Sequence, residues 1–348
     1  MMSARRIALL MACMVLALAV LLAACPGSAP TTSLADRPQN VELTILGFIT
    51  GTTFQMRADA IAEAIRLEYP DWTVNSIAPG GESQLVSKRL AGEGELFLTP
   101  YVRQLEIETQ ASLHPEIDYD KATAYNLVAP IAPQYIHFLA LGKTGLTSIR
   151  DIVDQRYPFT VGVGPGGSRT QLEDILEYYG TSLADAEKWG AKQEFVVVTS
   201  PDGVEALQSG RIDTGISWSG LPCPPYMGVT FDLTILPIDD PGLVETLKAI
   251  GYYEATIPAG TYPFLTEDVP TVASRSHLAV RPEISEDIVY YVVKAVFNQK
   301  DLLIAAQADF IDQLTPEAVA ASVAISQVTG IEFHPGALKY YRELGWID

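Results

Sequence analysis

From residue 41 onward, apolar residues gather in short β-branched runs separated by stretches of helical spacing. V-E-L-T-I-L-G-F-I at 41–49 predicts a strand. After a glycine and threonine turn, M-R-A-D-A-I-A-E-A-I-R-L repeats its apolar residues three and four apart, which predicts a helix with one buried face. W-T-V-N-S-I-A-P-G-G restores strand character, S-Q-L-V-S-K-R-L fits a helix, and E-L-F-L-T is a short third strand. A second series opens near Tyr135. I-H-F-L-A-L, F-T-V-G-V-G, E-F-V-V-V and D-T-G-I-S-W-S-G read as strands, interleaved with the helical T-S-I-R-D-I-V and P-D-G-V-E-A-L-Q-S-G.

Strands alternating with helices predict an α/β fold, with a mostly parallel sheet and helices on both faces. Roughly 310 residues are more than one apolar core usually supports. Two α/β lobes with a cleft between them fit this order. Thr271 to Val280 returns to the first sheet, so residues 41–133 and 265–348 are expected to form one lobe and residues 134–264 the other.

The N-terminus has a different pattern. Arg5 and Arg6 precede an apolar run from Ile7 to Leu21, then Leu22-Ala23-Ala24-Cys25. A basic start, a short apolar core and small residues before a break describe an export signal over residues 1–24. The ending has the form of a lipobox, in which cleavage leaves Cys25 as a lipid-modified N-terminus; an ordinary signal peptide with a chance cysteine is the alternative. Residues 25–40, rich in Pro, Ser and Thr, read as a flexible tether that leaves the protein anchored to the membrane rather than spanning it.

Charge and cysteine content then exclude several function classes. The formal net charge is −19, and losing Arg5 and Arg6 with the signal takes it to −21. Such acidity argues against a nucleic-acid partner. Only Cys25 and Cys223 follow the signal, so no disulfide framework is expected. The four histidines are scattered without an H-x-x-x-H pair, so no metal or cofactor is implied. Catalysis finds no G-x-S-x-G elbow, and Ser168 has no activating base nearby in sequence.

Chemistry concentrates instead at V-G-V-G-P-G-G-S-R-T, residues 161–170, a glycine-rich turn between a strand and a helix start. It lacks the lysine of a nucleotide-phosphate loop, but backbone N–H groups at such a helix start face whatever binds there. That turn, together with V-E-A-L-Q-S-G-R-I-D-T-G-I at 204–216, resembles the second-lobe signatures of extracytoplasmic solute-binding proteins. T-I-P-A-G-T-Y-P at 256–263, E-D-V-P-T-V-A just after it, and F-H-P-G-A-L-K-Y-Y-R-E-L-G at 333–345 are similar to the TAXI group, the receptors of TRAP-type secondary transporters.

The resemblance implies a periplasmic-binding-protein type II fold, two hinged lobes that close on a solute, and delivery of that solute to membrane-embedded TRAP transporter subunits without chemical conversion. The group's solutes include small carboxylates such as glutamate and 2-oxoglutarate. Two motifs depart from the group's pattern. Where G-G-S-x-x-N is usual, Gly80-Gly81 is followed by Glu82 and then Leu85; where G-S-G-T is usual, Gly167-Ser168-Arg169-Thr170 stands. The glycine-rich helix start, the added Arg169 and the resemblance point to a small organic anion, a carboxylate, and Glu82 and Leu85 to one that differs from the usual amino acids.

The candidate site follows from the turns. Gly164, Gly166 and Gly167 allow close backbone approach, Ser168 and Thr170 supply hydroxyls, and Arg169 offers a bidentate partner for a carboxylate. Alternatively Ser168 only caps the helix and Arg169 turns outward. Thr50, Gly51, Thr52, Thr53 and Phe54 form the matching first-lobe turn, with Phe54 either covering the ligand or tucked into the core. Gly80 and Gly81 give a second close-approach turn, and Glu82 meets a ligand amine, neutralises Arg169 or forms an exposed ion pair. Trp218 and Ser219 follow a strand, Trp218 serving as an apolar wall or as core packing. Tyr262 reaches the cleft or braces the connection between lobes. Cys223, flanked by prolines, reads as a buried structural thiol, and His334 and Tyr340 as supports of the fold. A ligand-sensing lipoprotein signalling to a membrane partner, or a periplasmic enzyme using Glu82 as a base, are the alternative functions.

Overall fold

A computed structural model describes residues 37–100, 124–164, 167–310 and 312–348. The export signal, Cys25 and most of the tether lie outside these residues, as does Gly166.

Strand β1 (Glu42–Leu46) leads into helix α1 (Thr53–Glu68), followed by β2 (Thr73–Ile77), α2 (Glu82–Leu90) and β3 (Leu96–Pro100). The long β4 (Asn126–Leu141) opens the second series: α3 (Ile149–Asp154), β5 (Thr160–Val163), α4 (Gly167–Tyr178), α5 (Leu183–Lys188), β6 (Lys192–Phe195), α6 (Pro201–Gln208) and β7 (Thr214–Ser219). Next come β8 (Leu233–Leu236), α7 (Pro241–Ala249), β9 (Tyr253–Ile257) and the long β10 (Val269–Val280). Four helices close the chain: α8 (Glu286–Asn298), α9 (Lys300–Ala306), α10 (Pro316–Thr329) and α11 (Pro335–Glu343).

The helices form where the spacing predicts. In α1, Ile61 and Ile65 are four apart and fully buried, as are Ala58 and Ala64, so one stripe faces the sheet. The Thr52 hydroxyl accepts from the Gln55 N–H and caps its first turn. Helix α8 starts at the Ser285 cap with Glu286 and Asp287 in its first turn, where the helix dipole favours acids, and buries Val289, Val292, Val293 and Val296. In α11 the motif F-H-P-G has a local purpose. The Nε2 of His334 donates to the Ile284 carbonyl, and its Nδ1 accepts from the Gly336 N–H, so the ring caps the helix. A Cβ on Gly336 would stand 2.2 Å from the Glu286 carbonyl oxygen, so glycine lets α11 lie directly against α8.

The sheet departs from a mostly parallel arrangement. Its order is β2-β1-β3-β10-β4-β7-β5-β6, with β8 also on β4 and β9 also on β10. The β2-β1-β3 and β7-β5-β6 groups are parallel, as βα units require. Between them, β10 and β4 run antiparallel to each other and to their outer neighbours β3 and β7. The two parallel groups are thus joined through two long strands that belong to both.

Apolar burial changes along those same strands. One cluster combines Leu43 through Ala132 with Leu278 through Tyr341. The others draw on the middle of the chain, from Ile136 to Val272 and from Leu139 to Leu265. Membership switches between Ala132 and Ile136 on β4, and between Val272 and Leu278 on β10. The result is a two-lobed α/β fold of the periplasmic-binding-protein type II class.

Candidate functional site

A cavity of about 360 Å³ opens where the βα turns of both parallel groups meet the middle of the sheet. The turn after β1 contributes Phe48, Ile49, Gly51, Thr52, Thr53 and Phe54. Gly80, Gly81, Gln84 and Leu85 come from the turn into α2, with Leu98 of β3 beside them. Opposite stand Gly164 and Ser168 at the start of α4, and Val197, Val198 and Thr199 before α6. Gln134 of β4 and Ser217 to Ser219 of β7 add the sheet's contribution, and Cys223 to Pro225 follow.

Each wall is fixed by identifiable packing. Gln55 holds the first turn: its Oε1 accepts from the Phe48 N–H at 3.1 Å, and its Nε2 donates to Asp59 and Ser76. The Val197–Thr199 wall depends on glycine. A Cβ on Gly203 would meet the Val197 carbonyl oxygen and the Val198 Cα at 2.4 Å, both backbone atoms that cannot swing away. Gly162 and Gly215 likewise accommodate the Val198 side chain.

Behind the Cys223 wall lies a buried polar chain. The His137 Nδ1 donates to the Tyr135 carbonyl at 3.0 Å, which leaves Nε2 to accept from the Tyr262 hydroxyl at 2.7 Å. That hydroxyl accepts in turn from the Cys223 N–H at 3.1 Å. Burial pushes His137 down to about 4, so the ring is neutral. The Cys223 thiol is pushed up to about 11, again by burial, which keeps it protonated and unreactive.

The cavity's electrostatics come from the backbone. Among the described residues that line it, none carries a charged side chain. Helices α1, α2 and α4 nevertheless bring residues at their N-terminal ends to the wall, and α6, capped by Ser200, starts two residues after Thr199. No side chain caps α2, whose N-cap is Gly81 at φ 141°. Helix N-termini carry partial positive charge and outward N–H groups, so the wall is electropositive without a cation. The Thr52, Thr53, Ser168 and Thr199 hydroxyls stand among these ends, while Phe48, Phe54, Leu98 and Trp218 give the rest of the surface an apolar character.

Of the residues expected at the site, Gly51, Thr52, Thr53, Phe54, Gly80, Gly81, Ser168, Trp218 and Ser219 line this cavity. Gly167 begins α4 just before Ser168. Glu82 begins α2, and its side chain lies outside the described residues. Four others are not among the residues that line the cavity. Thr50 is exposed and stands off the wall. Thr170 is buried one turn into α4, away from the cavity lining. Arg169 turns along the same helix, and its Nε meets Glu173 at 3.1 Å. Tyr262 is in the core, 1 % exposed, bonded to His137 and Cys223.

The residues that sequence reasoning left out are mainly apolar ones and Gln134. Phe48, Ile49, Val197 and Val198 fall inside runs that read as strands, but the strands end at Leu46 and Phe195, so the strand pattern hides their turn into the cavity. The β4 segment carrying Gln134 contains Pro130 and Pro133, which argue against a strand by pattern alone.

Among solved structures, the chain is similar to MatC of Rhodopseudomonas palustris with bound malate: 14% identity, 87% of this chain and 99% of that one, TM-score 0.53. It is also similar to the periplasmic binding protein BugD: 12% identity, 88% and 98% of the chains, TM-score 0.50. At these identities the likeness is one of fold. The NMT1-like family model matches residues 102–345, a stretch that includes α4, the Val197–Thr199 wall, β7 and the F-H-P-G cap. The chain belongs to the NMT1-like family.

Proposed function

We propose that this protein is a noncatalytic extracytoplasmic solute receptor that captures a small organic anion, a carboxylate, and delivers it to a TRAP-type transporter in the membrane. The observation that carries the reading is the meeting of helix N-termini around a neutral, partly apolar cavity of about 360 Å³. Each such terminus stabilises an adjacent anion by about 0.3–1 kcal/mol, rising toward ~2 kcal/mol where water is partly excluded. The volume suits a small metabolite, and the phenylalanines and Trp218 suit a carbon skeleton. MatC, a structure of similar fold, holds malate, which agrees with an anion in this class of cleft.

In this reading residues 41–133 with 265–348 form one lobe and residues 134–264 the other, closing on the solute as β4 and β10 flex. Core membership switches on those two strands, which supports them as the hinge. The TAXI-like motifs support TRAP subunits as the partner, and the Leu22–Cys25 ending supports export with a lipid anchor at Cys25.

Native mass spectrometry of the protein as purified, followed by calorimetry with a metabolite panel, tests the solute. Recovery of a carboxylate supports the reading; binding of neutral sugars or metal ions alone defeats it. The mass of the mature N-terminus tests the anchor, which requires a diacylglyceryl thioether on Cys25.

A further inference from the structure

We propose that the captured carboxylate bears an alcohol hydroxyl, and that Gln134, Trp218 and Ser274 form the polar floor that selects it. The proposal rests on the carboxylate reading above and adds to it the chemistry at the ligand's other end.

Gln134 lines the cavity and is only 1 % exposed. Its Nε2 donates to the Pro133 carbonyl at 3.0 Å, which fixes the amide so that Oε1 remains as an acceptor. That Oε1 is buried and has no partner among the described residues. The same holds for the indole Nε1 of Trp218, a donor that also belongs to a cavity-lining residue. It holds again for the hydroxyl of Ser274, which is fully buried.

These three groups share one face of the sheet. Ser274 is registered directly against Gln134 across the antiparallel β10–β4 ladder, so their side chains project to the same side. Trp218 is registered against Ile136, two residues from Gln134 on β4 and therefore on that face as well. Buried polar atoms are almost always paired, and here two unpaired ones belong to cavity-lining residues with a third registered beside them on the same face, which points to a group that satisfies them.

The donor and acceptor pattern identifies that group. Gln134 Oε1 only accepts, Trp218 Nε1 only donates, and Ser274 does either. An alcohol hydroxyl donates to the first and accepts from the second. An ammonium has nothing to accept the indole N–H. A keto oxygen or a second carboxylate has no hydrogen for Gln134. The floor therefore favours a hydroxy acid over the amino acid, keto acid and deoxy acid of the same skeleton.

Calorimetry on the full mature protein tests this with matched sets: 2-hydroxyglutarate, 2-oxoglutarate, glutamate and glutarate; phenyllactate, phenylpyruvate, phenylalanine and phenylpropanoate; and 3-hydroxybutyrate with butyrate, each chiral acid in both forms. In at least one set the hydroxy acid is expected to bind on the order of 10–100-fold tighter than its deoxy partner. Gln134→Leu should bring the two affinities together, and Ser274→Ala provides the smaller change if the first variant folds poorly. Carboxylate binding with no hydroxyl preference in any set overturns this inference and leaves the receptor reading standing. Binding confined to neutral ligands overturns both.

Discussion

The hydroxyl of Tyr262 donates to the Nε2 of His137 at 2.7 Å, across 125 residues of sequence and inside the core. The pair ties β4 to the turn after β9, and through the Cys223 N–H it also ties down a wall of the ligand cavity. Both nitrogens of the imidazole are thereby committed, Nδ1 donating to a carbonyl and Nε2 accepting from a phenol, so a second proton on the ring has no acceptor in place.

This arrangement makes acid stability depend on His137. Its folded value is held down at about 4 by burial, below the ordinary 6.5, so as pH falls the unfolded chain takes up the proton first. Stability contributed by the neutral ring is present above about pH 6.5, declines below it and is lost by about pH 4. The gap corresponds to about 3 kcal/mol. His277, held down at about 3 by burial first and by Arg275 second, adds to the same trend. Thermal unfolding followed between pH 7 and 4 should show a falling midpoint, and His137→Gln should flatten part of that slope while lowering stability at neutral pH. An unchanged slope in the variant would show that His137 is not the titrating group.

Arg169→Ala should leave ligand affinity within about twofold of wild type. The guanidinium faces Glu173 one turn along α4, each side chain about one-third exposed, a pair of the kind that contributes less than about 1 kcal/mol. Calorimetry with the natural solute checks this. A loss of tenfold or more would place the arginine at the ligand after all.

Much of this architecture is legible in the chain because local periodicity and burial agree. Helices α1, α2, α3 and α6 and strands β1, β2, β3, β5 and β7 stand where the pattern puts them. The first half of β4 is hidden by Pro130 and Pro133. Residues 126–134 pair in the sheet's ladders with β10, and β7 joins the other side only from Tyr135 onward, so the prolines lie where an N–H is not needed on both sides. Two register shifts on β10, at Ser276/His277 and Leu278/Ala279, mark where β4 carries an extra residue. The floor of the cavity was invisible for the same reason, since Gln134 belongs to that half-strand. Arg169 invites a ligand role because an arginine beside a glycine-rich turn has the right chemistry, while the i,i+4 glutamate it meets is equally visible in the sequence.

Thr52→Ala should cost about 1 kcal/mol of stability through loss of the α1 cap. Because Thr52 also lines the cavity, affinity for the anion should fall as well, by a few-fold. Thr50→Ala is the matched control: that residue is exposed and off the wall, so neither quantity should move. Chemical denaturation and calorimetry on the two variants separate the effects, and equal behaviour of both would remove Thr52 from the site.

Gly203→Ala is the sharpest test of how the second-lobe wall is held. Gly203 is the third residue of α6, its N–H bonded to the Ser200 hydroxyl at 3.2 Å, in a helix where alanine is intrinsically favoured by about 1 kcal/mol. Propensity alone therefore predicts a more stable protein. Packing predicts the reverse, because the added methyl meets the Val197 carbonyl oxygen and Val198 Cα at 2.4 Å. Backbone atoms at that distance must move, and those two residues line the cavity. Overpacking of this kind costs about 1–3 kcal/mol, enough to offset the helix preference. The variant should unfold at lower denaturant concentration and bind its solute at least tenfold more weakly, with Gly228→Ala, where a methyl has open space, as the control. A stabilised Gly203→Ala protein with unaltered affinity would mean that α6 does not set the position of Val197 and Val198.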